Sequence, residues 1–104
     1  MKPQRNRKPK PKEVPFYDSE LRELWFRGQL VKRYRQGAVD QILILQAFQE
    51  LGWPAAMDDP LRKLAGRDPK EHLRQTITNL KRRLKLITFV GLGTGDRIGW
   101  KLRS

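Results

Sequence analysis

The tightest local constraint in the chain is a helix start written in consecutive residues, Asp68-Pro69-Lys70-Glu71. Asp68 suits the N-cap, because its carboxylate can accept from the orphan amides of a first turn. Proline suits the first helical position, where no amide is needed, and Glu71 stands where a capping box places its acid. Behind this start, Leu73, Ile77, Leu80 and Leu84 recur at intervals of four, three and four. On a helix those intervals make one narrow apolar stripe. The spacing predicts a helix over 69–85. A narrow stripe buries one face only, so this helix must pack on other elements and leave its opposite face to solvent.

Those other elements are legible on either side. Glu23-Leu24-Trp25-Phe26, then Arg27-Gly28, then Gln29 to Tyr34 reads as a β-hairpin, with Gly28 supplying the positive φ of a tight turn. From Val39 to Leu51 the apolar residues Ile44, Leu45, Phe48 and Leu51 follow helical spacing; Gly52 ends the helix and Pro54 forbids continuation. Asp58-Asp59-Pro60 opens a short element, expected as one helical turn over Leu61–Leu64. After the long helix, Leu86 to Val90 is expected as a strand and Gly91 to Asp96 as a glycine-rich turn. Ile98 to Leu102 is the return strand, with Trp100 and Leu102 in phase. The expected core joins Trp25, Phe26, Ile44, Leu45, Phe48, Leu73, Ile77, Leu80, Phe89 and Trp100.

Charge narrows the partners. The chain of 104 residues carries 23 Lys and Arg against 11 Asp and Glu, a net +12. Residues 1–15 hold six basic residues and one acid, 16–59 hold five and seven, and 60–104 hold twelve and three. The excess therefore sits at the two ends, and the middle reads as scaffold. An excess this large points to a polyanion. Residues 1–15, with prolines at 3, 9, 11 and 15, read as a disordered basic arm. It either binds nucleic acid by charge or only solubilises the chain. Residues 16–104 read as one domain.

On the long helix, Gln75, Thr78, Asn79 and Arg82 lie opposite the apolar stripe, flanked by Arg74, Lys81 and Lys85. Arg matches a guanine edge and Asn or Gln an adenine edge, whereas lysines and the outer arginines suit phosphates. The bland alternative is a solvated helix face, but its only acid is Glu71, where the helix dipole favours one. The glycine-rich turn lacks the Gly-Lys-Ser/Thr helix start of a nucleotide loop. It is better read as a hairpin tip whose backbone approaches a phosphate, with Arg97 and Lys101 nearby.

Other chemistries are not expected. There is no cysteine, which removes disulfides, thiolate zinc sites and cysteine catalysis and fits a reducing cytosol. His72 is the only histidine, has no metal-site company, and is expected at the edge of its helix. Asp58 and Asp59 read as turn caps rather than a catalytic pair. No nucleophile, base and orienter can be assembled, so no enzyme, cofactor or metal is expected. No apolar run is long enough for a membrane span, and no apolar stretch follows the basic N-terminus as a secretory signal requires.

The run Gln75-Thr76-Ile77-Thr78-Asn79-Leu80-Lys81-Arg82-Arg83-Leu84, followed by Ile87-Thr88-Phe89-Val90 and a glycine-rich turn, resembles the recognition helix and wing of OmpR/PhoB-type winged-helix effector domains. The stretch Leu24 to Tyr34 is similar to the N-terminal sheet of that domain. Gly52-Trp53-Pro54, Asp58-Asp59-Pro60-Leu61 and Gly93-Thr94-Gly95 are also similar to stretches of small basic bacterial proteins. The resemblance spans about residues 20–104 and implies an α+β fold: a winged helix-turn-helix with an N-terminal β-hairpin and a C-terminal β-hairpin wing. It implies that Gln75, Thr78, Asn79 and Arg82 face a DNA groove and that residues around Arg97 form the wing. Two features depart from the family: the longer, glycine-rich wing turn, and a poorly marked second helix around Met57–Ala65. No receiver-domain pattern is present, so phosphorelay control is not expected. The expected function is a small bacterial protein that binds double-stranded DNA, a regulator or mobile-element accessory, cytoplasmic and nucleoid-associated. The alternatives are an RNA-binding or ribonucleoprotein accessory, using shape recognition, and a winged-helix adaptor for a protein partner.

Overall fold

Arg27 and Gly28 both take positive φ, 52° and 75°. A turn of that hand matches the twist of its flanking strands, and it joins β2 (Glu23–Phe26) to β3 (Gln29–Arg33) as expected. The computed structural model describes residues 13–63 and 68–103. A third strand, β1 (Phe16–Asp18), was not legible in the sequence; it pairs antiparallel with β2, so the first sheet runs β1-β2-β3. Of the stretch read as an arm, residues 1–12 lie outside the described residues. Glu13 pairs with Arg27 at 2.6 Å and Pro15 is buried.

Helix α1 spans Val39–Leu51, as the periodicity predicts. It ends in a Schellman motif: Gly52 takes φ 81°, its amide donates to Gln49 O, and the Trp53 amide donates to Phe48 O at 2.8 Å. The same motif carries the Trp53 ring onto Phe48, stacked at 4.8 Å and 8°. Gln49 Oε1 then accepts from both Trp53 Nε1 and the Tyr17 amide, each at 2.8 Å, tying α1 to β1. Sequence pattern reads Trp53 only as part of a stop signal, yet it is a centre of the core.

The element expected after Pro54 differs. Ala56–Asp58 form strand β4, which pairs with the last strand. Residues 60–63 form a hydrogen-bonded turn, with the Arg62 amide donating to Asp59 O at 3.4 Å. Asp59 caps this turn, accepting from the Leu61 amide at 2.8 Å as the turn reading anticipated, whereas Asp58 belongs to β4 and not to the cap. Leu64 to Arg67 lie outside the described residues. Helix α2 spans Pro69–Leu80, with Asp68 accepting from the Lys70 amide at 3.1 Å. Strands β5 (Ile87–Leu92) and β6 (Arg97–Leu102) form a hairpin, and the second sheet runs β4-β6-β5. The fold is α+β: a three-stranded antiparallel sheet, two helices, and a second three-stranded antiparallel sheet that includes the hairpin.

One core joins these parts. Leu24, Phe26, Ile44, Phe48, Leu73, Leu80 and Phe89 are all within it. Two expected members differ. Trp25 is half-buried, because neighbours on a strand face opposite sides and Leu24 and Phe26 hold the inner one. Trp100 packs against the core edge, edge-on to Trp53 at 6.1 Å. Leu102, in phase with it, is 53% exposed. Among the described residues, no helix is long and apolar enough to cross a membrane.

Leu80 is fully buried. Leu80→Ala should cost about 2–5 kcal/mol in a denaturant titration, the range for emptying a packed leucine site. A loss under about 0.5 kcal/mol would show that the α2 stripe does not bear on the core.

Candidate nucleic-acid interface

The predicted helix 69–85 is shorter than expected. Helix α2 stops at Leu80, residues 81–83 turn, and Arg83 takes φ 61°. The reason lies far off in sequence. Lys32 of β3 donates from Nζ to the carbonyls of Asn79, Leu80 and Arg82, at 3.3, 3.5 and 2.8 Å. Tyr34 donates its hydroxyl to Leu80 O at 3.1 Å. The last carbonyls of a helix lack internal partners and carry the negative end of its dipole, so a cation and a hydroxyl delivered there stabilise termination. Leu84 still reaches the core, from the turn rather than from a helical face.

This moves two candidate residues, Arg82 and Lys85, and leaves a third in place. Lys81 is the C-cap and stays beside the helix face. Arg82 does not lie opposite the apolar stripe: it sits in the turn, with Nη2 donating to Asn79 Oδ1 at 3.0 Å. Lys85 is exposed on the link to β5. The four-residue tip, Gly93–Asp96, is shorter than the expected turn because β5 runs on to Leu92.

The remaining candidates divide by flank. Arg74, Thr78 and Lys81, joined by Lys70, which the sequence reading did not single out, border a groove of about 390 Å³ between α2 and the β5–β6 tip, floored by Leu73, Ile77 and Leu92. Glycine makes this closeness possible. Gly95 takes φ 93°, and a Cβ there would meet Lys70 Cγ at 3.2 Å, so the tip is pressed on the first turn of α2. Gln75 and Asn79 occupy the other flank, facing the start of α1. Gln75 and Thr78 are exposed, and Asn79 is half-buried. The Thr78 hydroxyl donates to Arg74 O at 3.1 Å, which leaves its oxygen lone pairs free to accept.

Arg74 pairs with Glu71 across one turn. The hydrogen bond and charge of that carboxylate hold the guanidinium pKa above its ordinary value, so Arg74 is cationic throughout the working range. Arg97 stands at the foot of the tip, 3.5 Å from Asp58 of β4. Lys101 is not part of this surface. It lies opposite Thr88 on the sheet face turned away from the Phe89–Trp100 pair, whereas α2 packs on the inner side, with Ile77 beside Gly91.

His72 is buried rather than at the helix edge. Its Nε2 lies 2.6 Å from Asp40 Oδ2, joining α2 to the first turn of α1. Among the described residues, no group of three or more His, Cys, Asp or Glu could hold a metal ion.

Burial raises the Tyr34 phenol well above its ordinary 10.0, with Tyr17 adding to the effect. The protonated phenol therefore belongs to the folded state. Its contribution is intact below about pH 10 and is lost as pH climbs through the raised value. Denaturant midpoints measured from pH 8 to pH 11 should fall on the alkaline side, and Tyr34→Phe should flatten that fall. At neutral pH, Lys32→Met should cost about 1 kcal/mol, because the end of α2 is deprived of its charge-assisted bonds. An unchanged midpoint would show that the helix ends without Lys32.

No family model, curated protein or solved structure matches this chain.

Proposed function

We propose that this protein binds double-stranded DNA, with α2 in the major groove and the β5–β6 tip against the backbone. The fold then reads as a winged-helix variant: α1 backs α2, and the hairpin after α2 is the wing. A turn at 60–63 stands in the region, Met57–Ala65, where the OmpR/PhoB-type resemblance expects a second helix. The observation that carries the reading is the exposed face of α2, with Arg74 and Thr78 beside a glycine-rich tip that touches Lys70 and Gln75 on the flank toward α1.

The chemistry follows from the side chains. Gln75 can hold an adenine edge by paired donor and acceptor, and Thr78, whose proton is used on Arg74 O, can accept from the amino group of adenine or cytosine. Lys70, Arg74 and Lys81 line the wing side, where phosphates would pass. Arg82, with its guanidinium turned back on Asn79, is assigned to the backbone and not to a base. A role as a regulator or mobile-element accessory at the nucleoid fits a small basic binder of this kind.

Salt-dependent binding to duplex DNA, single strands and structured RNA tests the reading. Duplex DNA should bind tightest. Gln75→Ala should cost roughly 1–3 kcal/mol on the preferred site and relax preference at one base pair. Lys70→Ala and Lys81→Ala should weaken all sequences alike, each lowering the salt slope by about one. Preference for structured RNA would move the reading to a ribonucleoprotein role, and no binding at low salt to one of protein docking.

A further inference from the structure

A second cleft lies outside the α2–hairpin groove, at the other end of the helix. It is about 710 Å³ and opens between β3, the start of α1 and the turn after α2. Its walls carry Lys32, Arg33 and Arg35 from one side and Arg82 and Arg83 from the other, with no acidic side chain among the lining residues. That is five cations on two segments some fifty residues apart in sequence.

Not all five have the same freedom. Arg33 is held by the buried Glu23, with Nε at 3.0 Å from Oε2. Lys32 spends its donors on the end of α2. Arg35 and Arg83 are exposed, and Arg82 is tied only to a neutral amide. The crowding has a cost that is visible at Lys32. Desolvation, then Arg82, then Arg83 lower its pKa from the ordinary value. An anion in the cleft would relieve the repulsion and use Arg35, Arg82 and Arg83, which pair with no carboxylate among the described residues.

The cleft has a second source of positive potential. Gly37, Ala38 and Gln41 line it, so the N-terminal turn of α1 faces into it. Ala38 is the N-cap and offers no side-chain acceptor to the first-turn amides. The one acid of that turn, Asp40, is turned to His72. Uncapped amides at a helix N-terminus are anion donors, and here they share a cleft with arginines.

We infer that this cleft is a second phosphodiester site, gripping the nucleic-acid backbone at the C-terminal end of α2. The inference rests on the DNA-binding reading and deepens it. Lys32 and Arg33 set the floor and the helix end. Arg35, Arg82, Arg83 and the α1 amides bind phosphate oxygens. This grip carries no sequence preference, because phosphates are the same at every step.

The test measures duplex affinity against salt for the wild type, for Arg35→Gln with Arg83→Gln, and for Gln41→Glu. Removing the partner of one phosphate lowers the salt slope by roughly 0.9, so the double variant should lower it by about two, equally on all sequences. Arg35 lies in an exposed loop, so Arg35→Gln alone, with a decrease of about one, carries the test if the double variant melts early. Gln41→Glu suits the first turn of a helix but sets a carboxylate on the cleft wall; it should keep or raise the melting temperature while weakening binding several-fold. An unchanged slope in the arginine variants, with the wild type binding duplex, overturns the inference and leaves the α2 reading standing. If the wild type binds no duplex, the α2 reading fails, and the cleft is judged by inorganic pyrophosphate instead. Amide shifts at Gly37, Ala38 and Arg83 that vanish in the double variant would then support an anion site, and their absence would overturn it.

Discussion

The end of α2 is set by a strand of the other sheet, and much of the surface follows from that. Lys32 and Tyr34 reach the carbonyls of Asn79, Leu80 and Arg82 and hold them as a helix terminus. Lys32 also lies over the Tyr34 ring, 4.7 Å from its centre, so the two donors are ordered together. Charge at a helix C-terminus is favourable within the last turn only; the strand must therefore come close, and it brings the first sheet against the second half of the molecule. Because the helix stops there, Arg82 and Arg83 turn away from the groove-facing side. Without that stop Arg82 would continue the helix face beside Thr78 and Arg83 the flank beside Asn79.

The same junction marks where sequence reading succeeds and fails. The β2–β3 turn, α1 from Val39 to Leu51 and the α2 start were legible because each is written locally: a glycine in the turn, a glycine after the last apolar residue, an aspartate before a proline. The α2 end was not. Lys81-Arg82-Arg83-Leu84-Lys85 contains only residues with good helix propensity, and Leu84 prolongs the apolar stripe. What ends the helix lies 47 to 50 residues upstream. Strands β1 and β4, three residues each, are too short to show alternation and exist because β2 and β6 pair with them. Trp53 escaped because a glycine-proline frame signals a stop, whereas the Schellman geometry places the residue after the glycine over the last turn.

Charge tells a parallel story about the site. Dividing the chain by segment makes the middle look like acidic scaffold and assigns binding to the ends. The fold undoes part of that division. Three of the five basic residues of the middle, Lys32, Arg33 and Arg35, meet Arg82 and Arg83 in one cleft. The other two are used within the fold: Arg27 with Glu13, and Arg22 with the carbonyl of Tyr34. Segment charge marks the α2 flank, whose cations are neighbours in sequence. It was blind to the cleft, whose cations become neighbours only when β3 closes the helix end.

The placement of these two positive surfaces has a geometric consequence for the proposed docking. Helix α2 has 12 residues, about 18 Å at 1.5 Å per residue. The major groove is about 12 Å wide. A helix lying across it therefore brings both ends near the two phosphate ridges rather than leaving them in the groove. The hairpin tip is pressed on the first turn of α2 at Lys70, and the cleft opens at the last turn beside Asn79. In that docking one cationic surface would stand at each ridge, with Gln75 and Thr78 between them over the base edges. Both are fixed within the fold, by Gly95 against Lys70 at one end and Lys32 on the carbonyls at the other. Little rearrangement would then be needed to present them together, so in the proposed docking the helix orientation would follow from the fold and not from the reading of bases.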